Sequence, residues 1–73
     1  SSSYLPVWRA VLTACHRWGN VRLGSLAFDQ AVQLCDSSSS SYILMANLYA
    51  ASGMQKDAES VETMRRKMIL RGN

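Results

Sequence analysis

The sequence predicts an all-α fold: two tandem helix-turn-helix units forming a short α-solenoid. Three observations carry this. Apolar residues recur at i, i+3, i+4 and i+7, the spacing that gathers them on one face of a helix. Pro6, Gly19 and Gly53 stand where helices begin and end. The two halves of the chain, slid over one another by 34 positions, repeat an order of large, small and glycine residues.

The first helix is expected from Pro6 to Trp18. Trp8, Val11, Leu12, Cys15 and Trp18 share its apolar side, and Arg9, Thr13, His16 and Arg17 the opposite one. Pro6 suits a first turn, where its missing N–H costs nothing, and Gly19 suits the position just past the last turn. Asn20 then caps a second helix, Val21 to about Cys35, with Leu23, Ala27, Ala31 and Leu34 inward and Phe28, Val32 and Cys35 widening the apolar side. So broad a surface is expected to touch two neighbours. The run from Asp36 to Ser41 is polar and rich in capping residues, so it reads as a connection between hairpins. The third helix, Tyr42 to Ser52, is apolar around nearly its whole circumference and is expected to be central. Its alanines and the stop at Gly53 favour helix over strand. The last helix, Gln55 to Arg71, carries Ala58, Val61, Met64 and Met68 inward, with Glu62 placed four residues before Arg66 for an ion pair.

At the 34-residue offset Trp8 falls on Tyr42, Val11 on Met45, Cys15 on Tyr49, Gly19 on Gly53, Gly24 on Ala58 and Leu34 on Met68. Large residues open each first helix, glycine ends it, and a small residue sits where the second helix must approach closely. This period is that of tetratricopeptide-type (TPR) repeats, whose units bury their faces by stacking, so two units leave both ends open.

Composition narrows the function classes. A chain of 73 residues is one domain at most, and at this size folding buries only about 60% of the unfolded surface. The net charge of +3 is mild for a dedicated nucleic-acid binder. No run approaches the roughly 18 apolar residues of a membrane span, and the serine-rich start lacks the pattern of a secretory signal, so a soluble chain is expected. Cys15 and Cys35 match no metal or redox spacing, and on the two arms of a hairpin they stand roughly 6 Å and 20 Å from its turn, too far apart for a disulfide. Both are read as small packing residues in a reducing compartment. The glycines are scattered among helices and form no phosphate-cradling loop. No catalytic, metal or cofactor site is expected.

Two separated motifs carry a family resemblance. Trp8-Arg9-Ala10-Val11-Leu12-Thr13-Ala14-Cys15-His16-Arg17-Trp18-Gly19-Asn20-Val21-Arg22-Leu23-Gly24 is followed by Tyr42-Ile43-Leu44-Met45-Ala46-Asn47-Leu48-Tyr49-Ala50-Ala51-Ser52-Gly53 and then Val61-Glu62-Thr63-Met64-Arg65. This succession resembles the E region of plant PLS-class pentatricopeptide repeat (PPR) proteins over almost the whole chain. The resemblance implies a lead-in at 1–5, a first TPR/PPR-like E motif at 6–36 and a second at 37–73. Between the motifs the family commonly has Leu-Asp-Pro, where this chain has Cys35-Asp36-Ser37. The resemblance also implies a non-catalytic role in organellar cytidine-to-uridine RNA editing, in mitochondrion or plastid. Its partners would be upstream PPR repeats in cis, a DYW-type deaminase domain in cis or trans, and multiple organellar RNA editing factor proteins. RNA would be met mainly through the upstream repeats, and no membrane partner is implied. Deamination itself needs an H-x-E and C-x-x-C zinc arrangement; here His16 is followed by Arg17 and Trp18, and there is no C-x-x-C.

Candidate contacts with a partner or with RNA are Arg9, Arg17, Trp18 and Arg22 near the first hairpin, and Arg65, Arg66, Lys67 and Arg71 on the last helix. The basic end of that helix also complements its dipole. Trp8, Val11, Cys15, Gly19, Gly24, Tyr42, Met45, Tyr49, Gly53 and Ala58 are assigned to the repeat core. Two other readings stay open: a generic TPR-like scaffold holding a peptide in its groove, and a direct, non-sequence-specific RNA-binding module whose affinity falls steeply with salt.

Overall fold

The chain folds as four helices: α1 (Leu5–Trp18), α2 (Val21–Gln33), α3 (Ser40–Ala51) and α4 (Gln55–Arg71). The computed structural model describes residues 5–34 and 39–71. The start of the lead-in, the stretch 35–38 with Cys35, and Gly72 lie outside the described residues.

The two hairpin turns are built alike. Gly19 and Gly53 adopt φ of 69° and 77°, the left-handed region where a Cβ is strained. At the first turn the N–H of Asn20 donates to Cys15 O (2.9 Å) and that of Gly19 to His16 O (3.4 Å). At the second, the N–H of Met54 donates to Tyr49 O (2.8 Å) and that of Gly53 to Ala50 O (3.1 Å). These paired 6→1 and 5→2 bonds are the Schellman ending, and they satisfy carbonyls that the helix leaves open.

The helices form a slab measuring 32 × 26 × 13 Å, its short axis that of two helix layers. α3 packs against α1, α2 and α4, while α4 packs on α3 alone among the described helices. Leu12, Cys15, Ala27, Phe28, Tyr42, Met45, Ala46, Leu48 and Val61 form the buried cluster, flanked by the half-buried Trp8, Val11 and Tyr49. Between α2 and α3 the rings of Phe28 and Tyr42 meet edge to face, centroids 5.2 Å apart at 84°. No described helix is long and apolar enough to cross a membrane.

Several expectations need correction. α2 ends at Gln33 with Leu34 as its C-cap, short of Cys35, and the apolar phase at Cys35 gave no signal of that stop. The buried stripe of α2 is Gly24, Ala27, Phe28 and Ala31. Leu23, expected inward, is 45% exposed, and Val32 is exposed too. The apolar arc of α2 is wider than the neighbours that cover it, and Gly24 draws the contact toward its own side. α3 begins two residues early, at Ser40, and Ser41 is buried rather than part of a polar connection. Met64, expected inward, is 43% exposed, because α4 meets one helix and buries only Ala58 and Val61 fully. Glu62 pairs with Arg65, not Arg66: one carboxylate oxygen accepts from Arg65 Nη2 at 2.9 Å and Nε at 3.1 Å. Arg65 is half-buried on the side Glu62 also occupies, whereas Arg66 points to solvent.

Candidate interaction surface

A helix surface left uncovered is the only raw material such a fold offers a partner, and the sequence distributes it unevenly. Successive residues step 100° around a helix, so Val7, Val11, Ala14 and Trp18 fall within a narrow stripe of α1. The neighbouring stripe, Trp8, Leu12 and Cys15, is turned into the core. Apart from Val11, which is half-buried against the core, the outer stripe is apolar and open: Trp18 is 81% and Val7 55% exposed, and Ala14 is exposed beside them. Leu23 and Leu26 extend this face onto α2. Between the helices lies a hollow of about 300 Å³ lined by Val11, Ala14, Cys15, Trp18, Asn20 and Leu23. Its edge is fixed by Asn20, whose Oδ1 accepts from the N–H of Leu23 at 3.1 Å and starts α2.

The basic residues do not converge. Arg17 and Arg22 are exposed, but Arg9 is half-buried and two turns from Arg17. Arg65 is held by Glu62. Lys67 and Arg71, one turn apart, border a groove of about 310 Å³ floored by Tyr42, Met64 and Met68. Arg65 and Arg66 border a separate one with Ile69 and Leu70. The cations of α4 thus rim two apolar grooves instead of forming one patch. A further hollow, lined by Phe28, Asp29, Val32, Gln33, Tyr42 and Met64, shares Tyr42 and Met64 with the first of these.

Of the residues assigned to the repeat core, Cys15, Gly24, Tyr42, Met45 and Ala58 are buried, Trp8, Val11 and Tyr49 half-buried, and the turn glycines Gly19 and Gly53 exposed. His16 is exposed on α1. Among the described residues no three His, Cys, Asp or Glu side chains gather as a metal site. Sequence reasoning missed the apolar face formed by Val7, Ala14, Leu23 and Leu26. The 34-residue overlay held a signal for it, pairing Val7 with Ser41, Leu23 with Asp57 and Leu26 with Ser60.

Two hairpins stacked through a central helix, with the same turn repeated 34 residues apart, define a helical-repeat protein. The E motif family matches residues 18–72. A pentatricopeptide repeat-containing protein of Arabidopsis thaliana is 42% identical over 65 residues, covering 89% of this chain and 10% of the relative. A mitochondrial pentatricopeptide repeat-containing protein from the same plant is 32% identical over 68 residues, 92% of this chain and 11% of its own length. A chloroplastic one is 38% identical over 58 residues, 80% and 10%. The chain belongs to the E motif family of pentatricopeptide repeat proteins, and it spans about a tenth of the length of these curated relatives. No solved structure matches it.

Proposed function

We propose that this chain is the E region of a longer PLS-class PPR protein and serves organellar cytidine-to-uridine editing as a non-catalytic adaptor. It extends the scaffold beyond the RNA-reading repeats and presents surfaces to a cytidine deaminase domain or to multiple organellar RNA editing factor proteins. Its location is mitochondrion or plastid, a reading supported by relatives named for each compartment. The observation that carries the proposal is the E motif match on a fold whose exposed apolar area lies on both outer sides of the stack, the kind of surface that marks protein interaction sites.

The test replaces this region in the full-length protein by an unrelated pair of TPR hairpins, then measures editing of its transcripts by sequencing and RNA affinity by gel shift. Editing should fall at least about tenfold while RNA affinity stays within about threefold, since the upstream repeats supply recognition. A matching loss of affinity with a steep salt slope assigns direct RNA binding instead. Editing at the original level would remove the adaptor role.

A further inference from the structure

We propose that the trough between α2 and α4 seats an acidic amphipathic helix of a partner protein, which lays two large apolar side chains over Tyr42 and turns its carboxylates toward Lys67 and Arg71. The inference rests on the adaptor reading and deepens it, naming one surface and the chemistry of what it takes.

Two helix walls and a floor define the seat. α2 and α4 both pack on α3 but not on one another, and Tyr42 of α3 lies in the cleft this leaves. One hollow of about 320 Å³ runs toward Phe28 and Val32, and another of about 310 Å³ toward Met68. Both are lined by Tyr42 and Met64, so they join into one trough. Each wall repeats at one helical turn. On α2 the apolar pair Phe28 and Val32 is accompanied by the exposed Asp29 and Gln33. On α4 the pair Met64 and Met68 is accompanied by the exposed Lys67 and Arg71. Methionine is unbranched and polarizable, so the α4 wall can fit side chains of differing shape.

Charge then selects the occupant. Among the described residues no ion pair engages Asp29, Lys67 or Arg71. Arg71 lies in the last turn of α4 and complements its dipole, but Lys67 stands a turn further in, where that effect has faded. The repeat does not call for these residues either: at the 34-residue offset Lys67 falls on Gln33 and Met64 on Gln30. A cationic wall beside an apolar floor is complementary to carboxylates flanking apolar anchors. The described residues hold only helices, with no sheet edge for strand addition, so recognition falls to side chains. An amphipathic helix supplies anchors one turn apart, the spacing of both walls. RNA fits less well. Its phosphates would meet Asp29 across the trough, and Tyr42, 8% exposed and packed edge to face with Phe28, offers bases no stacking platform.

The experiment uses the full polypeptide that carries this chain and two fluorescent helical peptides read by anisotropy. One has two leucines a turn apart with glutamates along one flank, and its twin has lysines in place of the glutamates. The glutamate peptide should bind about tenfold or more tighter at low salt, with the difference shrinking as salt is added. Lys67→Glu combined with Arg71→Glu should invert the preference. Both positions are exposed, so the thermal midpoint should hold. Met64→Asp should weaken both peptides about tenfold, whereas Arg66→Glu, which borders the other groove, should leave both unchanged. Equal binding of the two peptides, no binding of either, or a preference that survives the double reversal would overturn the proposal. Displacement of the peptide by a single-stranded RNA of unrelated sequence would assign the cations to phosphate and overturn it too. Replacement of the whole region tests the adaptor reading separately: if editing still falls there while the peptides show no preference, the adaptor works through another surface.

Discussion

Gly24 is where a single atom decides the register of the stack. Without a Cβ there, Leu48 Cδ2 occupies the space beside the backbone of α2, and α3 closes onto the first hairpin. A glycine inside a helix costs about 1 kcal/mol relative to alanine, so its presence has to be offset by the packing it permits. Gly24→Val should therefore destabilise the chain by about 2–3 kcal/mol, since branching is forced against a fully buried leucine. Urea denaturation reads the shift. Adding Leu48→Ala to Gly24→Val should cost less than the sum of the two single changes, a coupling of roughly 0.5–3 kcal/mol expected for touching side chains. Strict additivity would show that Leu48 and Gly24 do not share the contact. The need for a small residue at this position was legible, because Gly24 and Ala58 coincide in the overlay. The identity of the protruding partner was not, since Leu48 shares its helix with Tyr42, Ile43, Leu44, Met45, Ala46 and Tyr49, which cover nearly the whole circumference.

Each helix shows how far start and stop signals reach. The two glycine endings are equivalent down to their hydrogen bonds, but the starts that follow them are not. Asn20 caps α2 through its side chain, whereas the position before α4 holds Met54, whose side chain has no oxygen to offer the open N–H groups. Asn20→Ala should lower stability by about 1 kcal/mol. Met54→Asn should raise it by a comparable amount, because Met54 is partly exposed and gives up little burial. Thermal unfolding of the two variants checks both signs, and a destabilising Met54→Asn would mean that the methionine side chain holds the turn. Capping and glycine signals made these boundaries readable in the sequence. The ends flanking the inter-hairpin connection were not: the apolar phase runs on through Leu34, the C-cap at which α2 stops, and Ser40 and Ser41 have the composition of a loop yet lie within α3. Periodicity also identifies an apolar arc without saying how much of it a neighbour covers, which is why Leu23 and Met64 were turned the wrong way.

At the scale of the molecule, stability follows the number of neighbours each helix has. α3 touches every other helix and buries Met45 and Leu48 completely, at about 1.5–3 kcal/mol each. Among the described helices α4 packs on α3 alone, and its most buried large side chain is Val61. Stacked repeats behave as nearest-neighbour arrays, so an end helix opens without disrupting the rest, while a central one opens only with the whole. The opening free energy of α4 should accordingly lie below that of α3 by about one large buried side chain, or roughly 1.5–3 kcal/mol. In hydrogen exchange the amides around Met45–Leu48 should be slowest, and those of Ile69–Arg71 about 10- to 100-fold faster. The Glu62–Arg65 pair adds only about 0.2–0.5 kcal/mol to α4, too little to reverse that order. Equal protection along α3 and α4 would mean that the slab unfolds as one cooperative block. The grooves bordered by Lys67 and Arg71, and by Arg66 and Leu70, would then belong to a rigid surface rather than to the loosest of the four described helices.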